Sequence, residues 1–187
     1  AQNTDAPSGD GSAPAVYRTL YSSEVETMNY LTTTTLNNLV IPANVVDTLI
    51  EYDCYGVVQP SLAESWEHNE DYTQWTFHIR QGVKWVDSTG AEVADVTAHD
   101  WVSAARYILD AHNGSGSEYN WDVARVTNAT NYYNYTAYQL ALETATDGTD
   151  ENGNPVKLDE EGNVIEEVAE VTVDDIGVQA TDDYTLI

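Results

Sequence analysis

Basic residues are scarce in this chain. Lys and Arg together number 6 against 32 Asp and Glu, which gives a formal net charge of −26 at neutral pH. A surface that neutralises nucleic-acid phosphates needs clustered cations, so DNA and RNA are excluded as partners. An anionic membrane surface is disfavoured by the same repulsion. The excess of acid reads either as an ordinary solvated exterior or as an adaptation to salt- or acid-rich surroundings. Cysteine occurs once, at Cys54, so no internal disulfide can form. Its neighbours Tyr52, Asp53 and Tyr55 supply no metal set, and the thiol is expected to serve as a small, half-buried apolar group. No apolar run is long enough to span a bilayer. Neither a leader nor an initiating Met opens the sequence, which reads as a processed or trimmed chain.

Catalytic patterns are lacking as well. His68, His78, His99 and His112 fall on separate elements, without HExxH or other metal-ligand spacing. There is no Gly-x-Ser-x-Gly elbow and no phosphate-binding glycine loop. Carboxylate pairs are expected from abundance alone, so they do not argue for a glycosidase. The expectation is a protein that is not an enzyme and has no cofactor and no metal.

What the chain does have is enough apolar and aromatic material for a core. Its 187 residues are 42% hydrophobic and include 5 Trp and 13 Tyr. Residues 1–14, rich in Ala, Asn, Asp, Ser, Gly and Pro, read as a flexible linker, and residues 15–187 as the folded part. Val16 to Tyr21 reads as a first strand. Leu36, Leu39, Val40, Ala43 and Val46 recur at helical spacing, which predicts a helix over about 37–48, kinked near Pro42. A short strand over 50–52 follows, and Tyr55-Gly56 supplies the turn before Val57-Val58.

Residues 60–110 carry the clearest pattern. Trp75, Phe77 and Ile79 alternate with Thr76, His78 and Arg80, the period of a half-buried strand. Asn69-Glu70-Asp71 is a turn cluster, so residues 64–68 and this strand form a hairpin. Gly82 and Asp87-Ser-Thr-Gly90 mark further turns. Thr97 with Asp100 three residues on resembles a capping box, and Trp101, Ala105 and Ile108, with Val102 and Leu109 beside them, form one apolar helical face. Ala111 to Ser117 is a breaker loop.

Several later motifs stay open between readings. Tyr132, Tyr133, Tyr135 and Tyr138 read as packing and hydrogen-bonding groups on an exposed helix face, or as a platform for sugar stacking. Asn128-Ala-Thr130 and Asn134-Tyr-Thr136 fit the glycosylation acceptor pattern, which matters only in a eukaryotic secretory host. Residues 143–170 form an acidic insertion, with a surface hairpin around Asp159-Glu-Glu-Gly162. Asp147 to Gly153 reads as a solvated turn, since Gly153 stands at position seven where a calcium loop needs glycine at six.

The ordered run Pro60-Ser-Leu-Ala-Glu-Ser-Trp66, Tyr72-Thr-Gln-Trp75-Thr-Phe77-His-Ile79-Arg80, Gly82-Val-Lys-Trp85 and Ala98-His-Asp-Trp-Val102 resembles the family 5 solute-binding proteins of ABC importers, the oligopeptide and dipeptide binders. The closing stretch Val178-Gln-Ala-Thr-Asp-Asp-Tyr-Thr-Leu186 resembles a hairpin of that family, and residues 24–29 resemble its early bend, with Tyr30 in place of the usual proline.

The resemblance implies a two-lobed α/β fold, periplasmic-binding-protein-like class II, that closes on its ligand by hinge motion. Here it implies a mixed α+β piece: the start of lobe I with its extra subdomain (about 48–187), the second lobe being absent. It implies a substrate-binding component that captures oligopeptides outside the membrane and delivers them to an importer permease. Sugars, nickel and haem are alternative ligands of the same fold, and a surface scaffold is an alternative role. It further implies a monomer in an extracytoplasmic setting, either periplasmic or a cell-surface lipoprotein whose lipid-bearing Cys would precede this sequence. By position within that likeness, Thr34, Thr35 and Leu36 line the ligand cleft, with Tyr119 and Trp121 as aromatic contacts and Asn120 as the polar contact between them. The four-threonine run reads equally as a polar loop, and residues 118–121 as a loop packed on its own domain.

Overall fold

In the computed structural model, Arg18, Leu20 and residues 23–187 are described. The linker over 1–14 therefore lies outside the described residues, as does nearly all of the expected first strand; Arg18 and Leu20 have no regular structure.

The scaffold is an antiparallel sheet of four strands. Strands β3 (Ala63–His68) and β4 (Trp75–Ile79) form the predicted hairpin, which pairs Trp66 with Phe77 and His68 with Trp75. The chain's last strands, β9 (Ala180–Asp182) and β10 (Thr185–Leu186), complete the order β3-β4-β10-β9. Helix α2 (Ala98–Leu109) packs on this sheet. It begins as the sequence indicates: the Asp100 carboxylate accepts the Thr97 backbone N–H at 2.8 Å. One apolar cluster joins Ile79, Ala98 and Leu186, flanked by Phe77, Trp101 and Val102. The other end of α2 supplies Leu109 to a second cluster with Ala129, Tyr132 and Ile176. The helix thus links two small cores, one with the sheet and one with helix α4 (Ala129–Thr144).

Among the described residues, three two-stranded hairpins complete the sheet structure. They are β1 (Ile50–Tyr52) with β2 (Val58–Pro60), β5 (Lys84–Val86) with β6 (Glu92–Asp95), and β7 (Thr146–Thr149) with β8 (Pro155–Leu158). A single turn grammar builds all of them. Asp53, Asp87 and Asp150 each begin an Asp-x-x-Gly loop, and Asp159 begins a fourth. In each, one carboxylate oxygen accepts the backbone N–H groups two and four residues on. The glycine takes positive φ, from 78° at Gly56 to 87° at Gly162. The β3–β4 loop breaks the rule. Asn69 begins it and Tyr72 occupies the left-handed position at φ 59°, its ring stacked 4.0 Å from that of His68.

The expected helix over 37–48 is two separate turns: α1 (Leu36–Leu39) and a 3-10 turn at Pro42–Asn44. Proline has no N–H to continue the first turn. Instead its carbonyl accepts from both Val45 and Val46 and closes the second. Cys54 is exposed rather than half-buried, because it sits inside the first Asp-x-x-Gly loop. Tyr132 is a core residue, 8% exposed, rather than part of an exposed face. In the acidic insertion the main hairpin is β7–β8, folded about Asp150. The expected hairpin about Asp159 is held by a single bridge, Leu158 to Val164. Among the described residues, no helix is long and apolar enough to cross a membrane.

Candidate functional site

Past Leu109 the chain makes a 3-10 turn at Ala111–Asn113 and reverses at Gly114, whose φ of 59° is left-handed. This delivers Ser115, Gly116 and Ser117 alongside an early segment of the chain. Three successive carbonyls there accept from three successive residues of the loop. Ser115 Oγ donates to Leu31 O (2.9 Å), Gly116 N to Thr32 O (3.2 Å) and Ser117 Oγ to Thr33 O (3.4 Å). Asn38, almost fully buried, holds the same segment from behind. Its amide accepts the Glu26 N–H at 2.9 Å and donates to Thr33 Oγ1 at 3.0 Å. Asn29 fixes the bend before it by donating to the Tyr107 hydroxyl at 3.3 Å. Asn29 also closes the turn at Tyr30 and Leu31. Its side-chain oxygen takes the Leu31 N–H, and its carbonyl takes that of Thr32.

Helix α3 (Tyr119–Val123) starts directly after this ladder. Between it and the early segment lies an open groove of about 450 Å³. Thr34 and Leu31 line one side, Tyr119, Asn120 and Trp121 the other, and Ile108 of α2 contributes from below. Trp121 divides its ring between the groove and the core cluster of Leu109, Ala129 and Tyr132. Tyr119 is about half exposed, at 54%. Of the six residues singled out from sequence, Thr34, Tyr119, Asn120 and Trp121 therefore line one groove. Thr35 and Leu36 do not line it: Thr35 hands its N–H to Thr33 Oγ1, and Leu36 is 76% exposed.

Tyr30, Thr33, Leu39 and Ser117 also line the groove and were not singled out by the sequence reading. The signal available for Ser117 was Ser115-Gly116-Ser117, whose small hydroxyl-bearing residues suit close backbone approach. Its partner segment lies 84 residues earlier, beyond any local pattern. A second open groove, about 360 Å³, runs between α2 and residues 173–180 and is lined by His99, Val102 and Asp174. None of the predicted residues reaches it.

Chemically, the larger groove offers hydroxyls, an amide and three aromatic rings, with no charged side chain on its surface. Such a wall can bond main-chain amides and cover apolar groups. It presents no nucleophile with a base beside it and no metal set. Among the described residues no cluster of three or more metal-ligating side chains occurs. Glu118 falls in the chain between the lining residues Ser117 and Tyr119, and its Oε2 is buried without a hydrogen-bond partner.

Residues 57–187 match the family described as bacterial extracellular solute-binding proteins, family 5 middle. The chain is 38% identical over 107 residues to the oligopeptide-binding protein AmiA of Streptococcus pneumoniae, an alignment covering 57% of this chain and 16% of that one. It is 31% identical over 142 residues to the periplasmic oligopeptide-binding protein OppA of Haemophilus influenzae, covering 76% of this chain and 19% of the relative. Among solved structures, the substrate-binding domain of an oligopeptide ABC transporter from Bacillus anthracis superposes with a TM-score of 0.59 at 26% identity, over 87% of this chain and 24% of that one. The Haemophilus influenzae OppA complex with the peptide RPPGFSPFR gives 0.57 at 25% identity, over 86% and 24%. The matched regions thus span under a quarter of each of these relatives. The fold is of the OppA type, and the chain belongs to the family 5 bacterial extracellular solute-binding proteins.

Proposed function

We propose that this chain is part of the substrate-binding component of an ABC importer that captures oligopeptides outside the membrane and passes them to the permease. The observation that carries the reading is the groove between residues 30–34 and α3, set in a family whose matched relatives are named for oligopeptide binding. A peptide offers one N–H and one carbonyl per residue, and its capture needs matching donors and acceptors beside apolar cover. Thr34 and Asn120 would supply the former, Trp121 and Tyr119 the latter. Thr35 and Leu36 would meet a ligand that extends past the groove. In this reading residues from about 48 onward form the extra subdomain of lobe I, and 143–170 is a surface insertion outside the site. The protein would act as a monomer in an extracytoplasmic position, held by a lipid on a cysteine ahead of this sequence. It would bind and release without chemistry.

The test is a thermal-shift and calorimetric screen of the full-length polypeptide carrying this sequence. Oligopeptides should raise its melting temperature, as binding to the folded state requires, and free sugars and nickel should not. Stabilisation by a sugar or by nickel, with none by peptides, would refute the reading.

A further inference from the structure

The groove also bears on which peptides are taken, an inference that rests on the peptide-receptor reading above. The chain carries 32 acidic and 6 basic residues, yet none of them lines this groove. Its apolar surface comes from Leu31, Leu39 and Ile108 with the rings of Tyr30, Tyr119 and Trp121. Its volume of about 450 Å³ lies inside the range of small-ligand sites, room for a side chain with its flanking amides. A charged side chain entering it would lose hydration and meet no opposite charge on this wall, which is costly. An aliphatic or aromatic side chain would be removed from water against matching surface. Glu118, whose unpartnered Oε2 is buried, is not part of the lining.

We propose that the groove selects a peptide residue with an uncharged, apolar side chain and rejects Lys, Arg, Asp and Glu at that position. The selection runs against the chain's long-range field, because a net charge of −26 draws cationic peptides toward the molecule. Field and groove therefore predict opposite preferences, which makes the two separable.

The experiment uses the full-length polypeptide and pentapeptides of alanine with Leu, Phe, Lys or Glu placed at each position in turn, titrated by calorimetry at physiological salt. At one position Leu and Phe should bind at least tenfold tighter than Lys and Glu. Thr34→Lys, at an exposed site on the groove, should then shift the ratio of Glu-peptide to Leu-peptide affinity at that position at least fivefold toward Glu. Equal affinities across the set would overturn the proposal. So would a preference for Lys, and loss of that preference in Glu118→Gln would identify the buried carboxylate as a cation anchor instead. If no peptide bound at all, the peptide-receptor reading itself would fall, an outcome distinct from loss of selectivity.

Discussion

Gly177 is a position where a single added carbon should be costly for its size. Its φ is not left-handed, so the backbone itself would accept alanine. The obstacle is contact. A Cβ there would lie 2.8 Å from Thr127 Cβ and 3.1 Å from Thr127 N, where carbon neighbours normally settle at about 3.5–4.0 Å. Retreat is blocked from both sides. The Gly177 N–H donates to Thr127 O at 2.8 Å, Asn128 Nδ2 donates to Asp175 O at 3.0 Å, and the preceding Ile176 is 1% exposed inside the core cluster with Leu109, Ala129 and Tyr132. Overpacking of this kind costs about 1–3 kcal/mol, and loosening the backbone hydrogen bond adds about 0.5–1.5. Gly177→Ala should therefore lose about 2–4 kcal/mol. Urea unfolding followed by tryptophan fluorescence measures it, since Trp121 packs against the same cluster. Thr127→Gly in the same chain removes the contacts with Cβ and Oγ1 and should restore at least half of the loss. A loss below about 0.5 kcal/mol for Gly177→Ala, the size of an ordinary surface change, would refute the packing described here. A double variant no better than the single one would do the same.

Three further outcomes follow from the fold. Ile79→Ala, at a 2% exposed position in β4, should cost about 2–5 kcal/mol in the same unfolding assay, while Val93→Ala at 68% exposure should stay within about 0.5. Gly153→Ala forces a side chain into φ 83° and should cost about 1–2 kcal/mol, read as fraying of the β7–β8 hairpin in amide exchange. His112 lies between two carboxylates, Nδ1 at 2.7 Å from Asp110 and Nε2 at 3.3 Å from Glu143, so only the doubly protonated ring can donate to both. The hydrogen bond to Asp110 chiefly, with Glu143 assisting, raises its pKa above the ordinary imidazole value of about 6.5. A raised folded-state pKa means that the bridge's stabilisation is complete below about pH 6.5 and fades as pH rises through the folded value. His112→Gln should flatten that part of the stability–pH curve, and an NMR titration midpoint at or below 6.5 would contradict the bridge.

Local chemistry made much of the scaffold legible. The alternation in β4 placed Phe77 and Ile79 against the core, as period two implies, but Trp75 at the start of the strand is exposed rather than part of that buried face. Thr97 and Asp100 marked the start of α2 because unpaired N–H groups at a helix start need an acceptor nearby. The Asp-x-x-Gly loops were equally legible, and reading them would have placed the β5–β6 and β7–β8 hairpins. The helix expected over 37–48 failed where apolar spacing competed with Pro42 and the proline won. What local pattern does not carry is partnership at a distance. Nothing in Thr185-Leu186 says that it lies against His78 and Phe77, more than 100 residues earlier. The groove was half legible for the same reason. Tyr119, Asn120 and Trp121 stand together in the chain, but Leu31, Leu39 and Ile108 join them only through the carbonyl ladder to Ser115–Ser117 and the packing of α2.

The most direct measurement is calorimetric titration of a tightly bound oligopeptide into the full-length polypeptide and its Trp121→Ala variant, with circular dichroism confirming that both are folded at the working temperature. If Trp121 anchors the ligand in this groove, the variant should lose about 1–3 kcal/mol of binding, a weakening of about 5- to 150-fold. A folded variant with an unchanged dissociation constant would place the peptide elsewhere and contradict the account.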